Sequence, residues 1–505
     1  MSNLLDKASI LLTPTAFSDG TLHSIKPIQT FGSELVTNGT FDNDLSGWTN
    51  TNNYWQYSNG KAFHPFGTAN NGLRIGGLPT KKYKLSFDVE VIQGALAVEL
   101  GGSTTFTQTG TYTLISVAGY INFKRFSSFE GSIDNVSLVE VTDGDFDFTR
   151  ATTATRVGPN GLIQNVASGL PRIDFSGGTG QILLEPQSTN LDVNSGDLSM
   201  GWAVASSATQ QVETGVTPVG VSGNIKRITG ATNNPPSWTD AADSLRKQYT
   251  VTATNPASFF TFSVYVKSAG STTVNIQLRD NTLGPSVTTG SISLNSDWQR
   301  VSITNQFGTT TRRVAVVIGG TDGDILLSGA QLENSSFPTS LIPTSGTTVT
   351  RNKDEANGSG DTSLISSTEG VLYAEIAALA DDQTSRILTI SDGTNNNRVR
   401  ISYTTTSNQI QIRVKSAGST EVNMSHTLSD ITLFTKIAVK YKVNDVSLFI
   451  SGVKINLDTN ATMPTGLNTL NFDKGDGGSE FFGKIKSVAV FKEALTDAEL
   501  IALTS

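Results

Sequence analysis

Cysteine is absent from the 505 residues, histidine occurs 3 times, and only 16% of the residues are charged. Without cysteine there is no disulfide, thiolate metal site or cysteine nucleophile. The sequence also lacks a His-x-x-x-His pair, a Gly-x-Ser-x-Gly elbow, a phosphate-binding loop and a dinucleotide fingerprint. We therefore predict no catalytic residues and no enzymatic activity.

The charge balance and the apolar runs exclude further partners. Lys and Arg number 36 and Asp and Glu number 44, giving a net charge of −8 with no basic run. Phosphate neutralisation by a nucleic-acid-binding surface is therefore not expected, and an anionic membrane surface is disfavoured for the same reason. No window approaches the ~18 apolar residues of a membrane span. The stretch "MSNLLDKASILLTPTAF" has no basic region, so it does not predict a secretion signal.

Alternating apolar and polar residues are the dominant pattern. The runs are bounded by Gly, Asn and Asp, and Gly alone occurs 48 times. This pattern is typical of antiparallel β-structure, and long helical patterns are nearly absent. Tyr83, Leu85, Phe87 and Val89 alternate with polar positions, which predicts that they share one face of a strand. The sequence therefore predicts an all-β protein.

Five segments can be distinguished along the chain. They are an N-terminal element for assembly or attachment over 1–32, a sandwich over 33–142, a β-rich joint over 143–186, a second sandwich over 187–350 and a last sandwich over 351–505. The two middle sandwiches are similar: "NDLSGW" corresponds to "GDLSMGW", which indicates a domain duplication. Thr496 with Glu499 three residues later is a capping-box pattern, which predicts a short final helix.

Several linked motifs resemble a series found in bacteriophage virion structural proteins of the tail-fibre and head-fibre type. They are "GDFDFTRATTATRVGPNGLIQNV", "PRIDF", "LLEPQSTNL" and "GAQLENSSFPTSLIPTSGTTVTR". The stretch "LLDKASILLTPTAFSDGTLHSIKP" is similar to the start of the same proteins, where it runs almost directly into "FDFTR". The resemblance implies that 33–142 is an inserted domain. The Thr-rich joint would then pair in extended form with the N-terminal element or with a neighbouring subunit.

The sandwiches also resemble known carbohydrate-recognition domains. The two middle ones resemble carbohydrate-binding modules of the galactose-binding-like jelly-roll type, through the Asn38–Gly39 and Gly47–Trp48 opening and the "DNVSL" ending. The last one resembles a laminin-G or concanavalin-A-like lectin domain, through "VSLFISGVKI" and "FFGKIKSVAVFKEALTDAEL". The implied fold is a tandem of jelly-roll sandwiches followed by a concanavalin-A-like sandwich with a short final helix.

Aromatic residues in polar loops are the glycan-binding candidates. Tyr54, Trp55 and Tyr57 lie in the Asn-rich stretch "TNTNNYWQYSNG", and Trp238 follows two prolines. Sugars stack their CH faces on such rings while polar groups bind the hydroxyls. The alternative is that one ring belongs to the core and the others cover an interface.

Two tryptophans are assigned from the similarity of the two middle sandwiches, and two aspartates from the resemblance to the modules. Trp48 and Trp202 occupy matching positions in the two sandwiches, which favours a packing role. Asp42 and Asp134 match the positions of a structural calcium site in the resembling modules, and carboxylate oxygen suits Ca²⁺. We expect no other cofactor.

The leading hypothesis is a virion structural protein, assembled in the host cytoplasm, that projects as a fibre or spike and binds host surface glycans. Its partners would be other virion proteins and two further copies in a homotrimer, an expectation that comes from the fibre resemblance. One alternative is a capsid decoration or connector protein with a purely structural role. The other is a polysaccharide depolymerase, which would need two carboxylates about 5–10 Å apart in a cleft.

Overall fold

A computed structural model describes residues 4–67, 72–196, 198, 201–204, 208–219, 222–232, 245–252, 258–280, 287–307 and 311–505. These residues form β-strands almost throughout, which confirms the predicted all-β class. The chain divides into two compact units. The main unit comprises Met1–Ile25 and Gly144–Ser505, and the inserted unit comprises Lys26–Asp143. Within the described ranges, no helix has the length and apolar character that a membrane crossing requires.

The main unit starts with a 3-10 helix at Leu4–Lys7 and strands β1 (Ile10–Leu12), β2 (Ala16–Ser18) and β3 (Thr21–His23).

The inserted unit is a two-sheet sandwich. The inserted unit then contains a 3-10 turn at Thr51–Asn53 and strands β4 (Thr30–Glu34), β5 (Thr49–Asn50), β6 (Gln56–Ser58), β7 (Lys61–His64), β8 (Gly72–Ile75), β9 (Lys81–Gln93), β10 (Leu96–Leu100), β11 (Gly102–Phe106), β12 (Gly110–Ala118), β13 (Ile121–Arg125) and β14 (Glu130–Thr142). One sheet has the order β12-β9-β14-β7-β6 with β4 beside β14, and the other has the order β11-β10-β13-β8-β5.

The core of the inserted unit follows the alternation in the sequence. Tyr83, Leu85, Phe87 and Val89 on β9 are at most 3% exposed, which confirms that they share the buried face. The ring of Trp48 lies 5.5 Å from that of Phe41 and 5.9 Å from that of Phe123. The predicted packing role of Trp48 is therefore confirmed.

The joint and the second sandwich follow in the main unit. The joint contains β15 (Phe146–Thr149), β16 (Ala154–Val157), β17 (Ile163–Val166), β18 (Ile173–Asp174) and β19 (Gln181–Leu184), and β20 (Ser188–Asn190) follows it. The second sandwich contains β21 (Ala203–Val204), β22 (Thr209–Val216), β23 (Ser222–Thr229), β24 (Leu245–Thr252), β25 (Ser258–Ser268), β26 (Thr273–Asp280), β27 (Val287–Thr288), β28 (Ile292–Ser293), β29 (Gln299–Phe307), β30 (Thr311–Gly319) and β31 (Ile325–Glu333). Its sheets have the orders β22-β23-β31-β25-β29 and β21-β24-β30-β26-β27, with β28 beside β26. Trp202 is 4% exposed, as predicted for a packing residue.

The last sandwich consists of an eight-stranded and a five-stranded sheet. Its strands are β34 (Glu369–Ala378), β35 (Arg386–Ser391), β36 (Arg398–Tyr403), β37 (Gln409–Ser416), β38 (Ser419–Thr427), β39 (Thr435–Lys442), β40 (Val446–Ile450), β41 (Val453–Asp458), β42 (Thr469–Asn471) and β43 (Gly483–Phe491), followed by helix α1 (Asp497–Thr504). They are preceded by β32 (Val349–Arg351), which pairs with β20, and β33 (Glu355–Asn357), which pairs with β15. The orders are β18-β19-β43-β34-β39-β40-β41, with β1 beside β43, and β38-β37-β36-β35-β42. Thr496 and Glu499 form the predicted capping box.

Distant segments complete the larger sheet of the last sandwich. On one side of β43, Ile10 pairs with Val490 and Ile182 pairs with Ile485. The side chains of Ile10 and Ile182 are fully buried in the same core as those of β34 and β36. The N-terminal segment, predicted as a separate assembly element over 1–32, thus supplies a strand to the last sandwich.

The Thr-rich joint pairs with the N-terminal segment. This is one of the two predicted arrangements, the other being pairing with a neighbouring subunit. In β15, Phe146 pairs with Leu22 on β3, and Phe148 pairs with Ala356 on β33. Because β3 and β15 are antiparallel neighbours, a short hairpin turn could join them. The inserted unit occupies that connection instead, which is the insertion that the sequence predicted.

Five buried charged side chains connect the joint to the last sandwich. They come from the joint and from the segment around β32 and are at most 3% exposed: Arg150, Arg172, Glu185, Arg351 and Asp354. Arg150 Nη1 lies 2.9 Å from Asp354 Oδ1, and Arg172 Nη1 lies 2.7 Å from Glu185 Oε2. Arg172 also pairs with Asp354, and Arg351 Nη1 lies 3.3 Å from Glu185 Oε2. We call these five residues the buried ion cluster.

Hydrogen bonds satisfy the remaining oxygens of Glu185. The Ser340 amide and hydroxyl each donate to its carboxylate at 2.7 Å. Burial alone would raise the pKa of Glu185, but the charges of Arg351 and Arg172 outweigh it and lower that pKa to about 2. The Glu185 carboxylate is therefore ionised in the folded protein at neutral pH.

Removing one carboxylate from the buried ion cluster should be far more damaging than removing an exposed one. We expect Asp354→Asn to lower the free energy of unfolding of the main unit by about 3–5 kcal/mol, because two arginines lose their partner without access to water. Asp324→Asn is the control, since its carboxylate pairs with Arg227 at 3.0 Å with both side chains partly exposed, and its expected cost is about 0–1 kcal/mol. Urea unfolding measures both, and equal effects would contradict the assignment.

Candidate functional site

Trp55, the central aromatic candidate, is a core residue. It is 1% exposed, and its ring lies 5.2 Å from that of His64 and 6.1 Å from that of Phe129. Asn50 fixes the backbone around it: its side-chain amide donates to Trp55 O at 2.7 Å, and its side-chain oxygen accepts from Trp55 N at 3.2 Å. This corrects the prediction of a glycan contact, because a buried indole offers no face to a sugar.

The other aromatic candidates have different fates. Tyr57 is 45% exposed, and its hydroxyl donates to the Asp42 carbonyl at 2.9 Å. Tyr54, three positions earlier in the chain, is half-buried. A glycan contact through Tyr54 and Tyr57 stays a prediction. Trp238 lies outside the described residues.

The structure does not assemble a metal centre around Asp42 and Asp134. Asp42 is exposed, and its carboxylate accepts from Thr40 Oγ1 at 3.1 Å. Asp134 is half-buried and accepts from the Asn135 amide at 2.8 Å. Across the residues with described positions, no group of three or more His, Asp or Glu could bind a metal ion. Calcium stays a prediction based on these two carboxylates.

A polar groove on the six-stranded sheet of the inserted unit is the leading candidate site. Its volume is about 460 Å³, and its polar lining is Lys61, Asp88, Glu90, Thr111, Ser132 and Asp134. The groove exists because β9 alternates. Phe87 and Val89 point into the core, which turns Asp88 and Glu90 outward. Of the residues predicted from the sequence, only Asp134 lines this groove.

Short hydrogen bonds hold the two outward carboxylates of β9. Asp88 accepts from Thr111 Oγ1 at 2.5 Å and from Asn135 Nδ2 at 2.7 Å. These bonds lower the pKa of Asp88. Asn135 has a φ of 50° within an irregular part of β14, where the register against β9 shifts, and this directs its amide to Asp88.

Glu90 is held in the same way by a cation and a hydroxyl. It accepts from Lys61 Nζ at 3.0 Å and from Ser132 Oγ at 3.2 Å. The hydrogen bond and the charge of Lys61 lower the pKa of Glu90. Both carboxylates are therefore ionised acceptors at neutral pH, and neither is held in the protonated form.

Two ionised carboxylates on one strand face can accept hydrogen bonds from hydroxyl groups. Asp88 and Glu90 are two residues apart on one strand face, about 6.6–6.8 Å between their Cα atoms. A glycosidase pair needs two carboxyl groups about 5–10 Å apart, one of which has a raised pKa so that it can donate a proton, whereas the pKa values of Asp88 and Glu90 are both lowered. Sequence reasoning missed both residues, although the alternation that identified Phe87 and Val89 also marks Asp88 and Glu90 as outward.

A second cavity of about 550 Å³ lies in the main unit between the joint and the second sandwich. Its lining includes Trp298, Arg300 and Asp174. The Trp298 indole donates to Val216 O at 2.9 Å, Arg300 Nη1 donates to Thr339 O at 2.5 Å, and Asp174 accepts from Val157 N at 2.8 Å. These polar groups hold the walls of the cavity together, as the hydrogen bonds of Asp88 and Glu90 do in the groove of the inserted unit.

The topology of the last sandwich agrees with one comparison to known families. Residues 363–501 match the concanavalin A-like lectin/glucanases superfamily. The match covers less than half of the chain, so it describes the last sandwich alone. The predicted lectin-like character of this sandwich is thereby supported. A search of curated proteins found no relative of this chain.

Solved structures of carbohydrate-related proteins show distant similarity. Domain 4 of the arabinanase AbnA from Geobacillus stearothermophilus is 14% identical, with 30% of this chain and 73% of that one covered and a TM-score of 0.25. The tandem CBM22 domains of Xyn10C from Paenibacillus barcinonensis are 9% identical, covering 60% and 98%, with a TM-score of 0.23. Domains LG4-5 of the mouse laminin alpha1 chain are 9% identical, covering 53% and 90%, with a TM-score of 0.20.

Substitution of Trp55 should affect stability before it affects any binding. We expect Trp55→Ala to lower the free energy of unfolding of the inserted unit by about 3–5 kcal/mol, because the buried ring leaves a cavity. Tyr57→Ala removes an exposed ring, so apart from the loss of its one hydrogen bond it should lower the free energy of unfolding by about 1 kcal/mol or less. Chemical denaturation, followed by tryptophan fluorescence, measures the stability of both variants. A Trp55→Ala variant as stable as the wild type would contradict the burial of Trp55.

Proposed function

We propose that the protein is a bacteriophage virion structural protein, a surface-projecting fibre or spike component that binds host surface glycans. The observation that carries the binding part is the open groove with Asp88 and Glu90 on the inserted unit. The virion part rests on the resemblance of the N-terminal segment and the "FDFTR" joint to phage structural proteins. The family match of residues 363–501 to lectins and glucanases supports a second carbohydrate-recognising module.

The groove suits a sugar chain for chemical reasons. Sugar hydroxyls donate to ionised carboxylates and accept from ammonium and hydroxyl groups, and Asp88, Glu90, Lys61 and Ser132 supply both kinds of partner. The groove is open and exposes Ile92, which is 58% exposed, beside the polar groups. An apolar side chain next to such groups can cover the CH face of a sugar ring.

Binding without hydrolysis is the proposed mode. The alternative of a depolymerase would need one carboxyl with a raised pKa, whereas the pKa values of Asp88 and Glu90 are both lowered. An ionised pair would bind a glycan and leave its glycosidic bond intact. Release of reducing ends from a bound polysaccharide would decide for the depolymerase.

Assembly on the virion would convert weak contacts into firm attachment. We propose a homotrimer in contact with other virion proteins, formed in the host cytoplasm, because this is the arrangement that the fibre resemblance implies. Three copies of one weak site raise the effective affinity strongly when their spacing matches the glycans on a cell. The remaining alternative is a capsid decoration or connector protein, which would use the same sandwiches for packing alone.

The groove is tested by a matched pair of variants. We expect Glu90→Gln to weaken binding about tenfold or more in an array of bacterial surface polysaccharides, since a charge-assisted hydrogen bond contributes about 1.5–3 kcal/mol. Glu140→Gln is the control, because Glu140 forms an ion pair with Lys81 at 2.6 Å on the same sheet but does not line the groove.

The result has three informative outcomes. Loss of binding in Glu90→Gln with Glu140→Gln unchanged supports the groove. Equal binding by both variants and the wild type would move any glycan site elsewhere. If the wild type binds no polysaccharide even as an oligomer, the decoration or connector role is favoured.

The calcium proposal has its own test. If Ca²⁺ binds through Asp42 and Asp134, a hundredfold excess over the dissociation constant stabilises the inserted unit by about 2.7 kcal/mol, because the unfolded chain does not bind it. We expect Ca²⁺ to raise the melting temperature of the wild type and to leave that of Asp134→Asn unchanged. Mg²⁺ at the same concentration is the control, and equal melting temperatures with and without Ca²⁺ would exclude this site.

A further inference from the structure

The five-stranded sheet of the last sandwich concentrates positive charge on its non-core face. On β36 and β37, Val399, Ile401, Ile412 and Val414 point into the core, so their neighbours point the other way. Those neighbours include four cations: Arg398, Arg400, Arg413 and Lys415. We call these four residues the cationic face. It stands out in a chain whose net charge is −8.

The strand register places the four cations as a rectangle. Arg398 pairs with Lys415 and Arg400 pairs with Arg413, directly across from each other. Neighbouring strands are about 4.8 Å apart, and alternate residues of one strand are about 6.6–6.8 Å apart. Four like charges therefore lie close together on one surface.

No carboxylate neutralises the cationic face in the described part of the chain. None of its four members forms an ion pair there, although ion pairs are frequent elsewhere in the same sandwich. The nearest acid that acts on Arg398 and Lys415 is Asp476, which itself pairs with Lys474 at 3.3 Å. Burial and the charges of Arg413 and Arg398 lower the pKa of Arg400 to about 9.

Some donors on this face lack hydrogen-bond partners, whereas others bind the protein: Arg398 Nη1 donates to Lys474 O and Arg400 Nη2 donates to Gln411 Oε1, each at 2.6 Å. Within the described residues, the Nε atoms of Arg398 and Arg400 and the Thr389 hydroxyl are buried without one. Arg398, Arg400 and Thr389 are 3%, 8% and 0% exposed. Like-charge repulsion and unpaired buried donors both cost free energy of folding. Because no carboxylate of the described residues pairs with the four cations, the face favours an anionic partner that arrives from outside.

Polar side chains extend the cationic face across the whole sheet. One row of directly paired residues crosses all five strands: Asn471, Thr389, Arg400, Arg413 and Asn423. At about 4.8 Å per strand the row spans about 19 Å. Asn423 is exposed and Arg413 is half-buried, so the row opens to solvent at this end. The three other members of the row are at most 8% exposed, so a partner reaches the face along β37 and β38. There the half-buried Gln411, Arg413 and Lys415 follow one another along β37 over about 13 Å, which fits an extended polymer better than a single small ion.

We propose that the cationic face binds an acidic polysaccharide, whose carboxylate or sulfate groups pair with Arg400 and Arg413 while its hydroxyl groups bind the flanking polar side chains. Planar guanidinium groups bind such oxyanions through paired hydrogen bonds. Nucleic acid is the less favoured polyanion, because the row contains no aromatic ring on which a base could stack. The site lies on a different sheet from the groove with Glu90 and stands whether or not that groove binds glycans.

The test uses the full chain and four polymers of defined chemistry. Affinity electrophoresis or biosensor binding is measured with polygalacturonate for carboxylate, dextran sulfate for sulfate, dextran as the neutral polymer and a single-stranded oligonucleotide. We expect the wild type to bind at least one acidic polysaccharide and not dextran. The Arg400→Gln/Arg413→Gln variant should lose at least tenfold in affinity. Lys436→Gln/Lys442→Gln removes the same charge from the other sheet and should stay within about twofold, since these lysines lie outside the row.

Stability separates a binding role from a structural one. The Arg400→Gln/Arg413→Gln variant should melt at or above the wild-type temperature, because it relieves repulsion on the cationic face. A merely structural role predicts a lower melting temperature. Polygalacturonate-only and dextran-sulfate-only binding would each support the proposal and identify the acidic group. Absence of binding to both, unchanged affinity in the arginine variant, or tighter binding of the oligonucleotide would overturn it.

Discussion

The buried ion cluster is the interaction on which the architecture of the main unit depends. Three guanidinium groups and two carboxylates are removed from water, which costs several kcal/mol for each ion unless every charge finds its partners. Asp354 satisfies Arg150 and Arg172 together, and Glu185 is held by Arg172, Arg351 and Ser340. These contacts can form only when the joint and the segment around β32 lie in one relative position. The cluster therefore fixes the register of segments that apolar packing alone would allow to slide.

Sheet completion by distant segments follows from that constraint. The last sandwich takes β1 and β19 onto the same side of β43, and the joint contributes Phe146 and Phe148 to its core. A strand edge left bare would expose unpaired backbone groups and apolar side chains. The joint thus covers an edge while it carries the charges that position it. This explains why a Thr-rich segment without catalytic groups lies between two sandwiches.

The sequence predicted best those features that leave a local pattern, such as the alternation of apolar and polar residues along a strand with one buried face. The outward and inward faces of β9 and the final helix have short-range signals. The packing of Trp48 and Trp202 was predicted from their matching positions in the two similar sandwiches, and the insertion between β3 and β15 from the resemblance to phage proteins. Trp55 was misassigned because its polar neighbours suggested an exposed loop, whereas Asn50 uses its amide to hold the backbone while the ring turns inward. The pair Arg150–Asp354 spans 204 positions, and no local pattern relates the two. The cationic face needed the register between β36 and β37, which sequence spacing does not supply.

The pairing of Ile10 with Val490 has a consequence for the synthesis of the protein. A ribosome adds about 5–20 residues per second, so the segment that contains β1 waits on the order of half a minute or more for its partner strand. During that time its apolar residues Ile10, Leu11 and Leu12 have no sheet to join, and closing so long a loop slows the final step of folding. The last sandwich is consequently the latest part of the described fold that can mature. Truncation within β43 would leave β1 without its partner strand, so that β1 could pair with other chains.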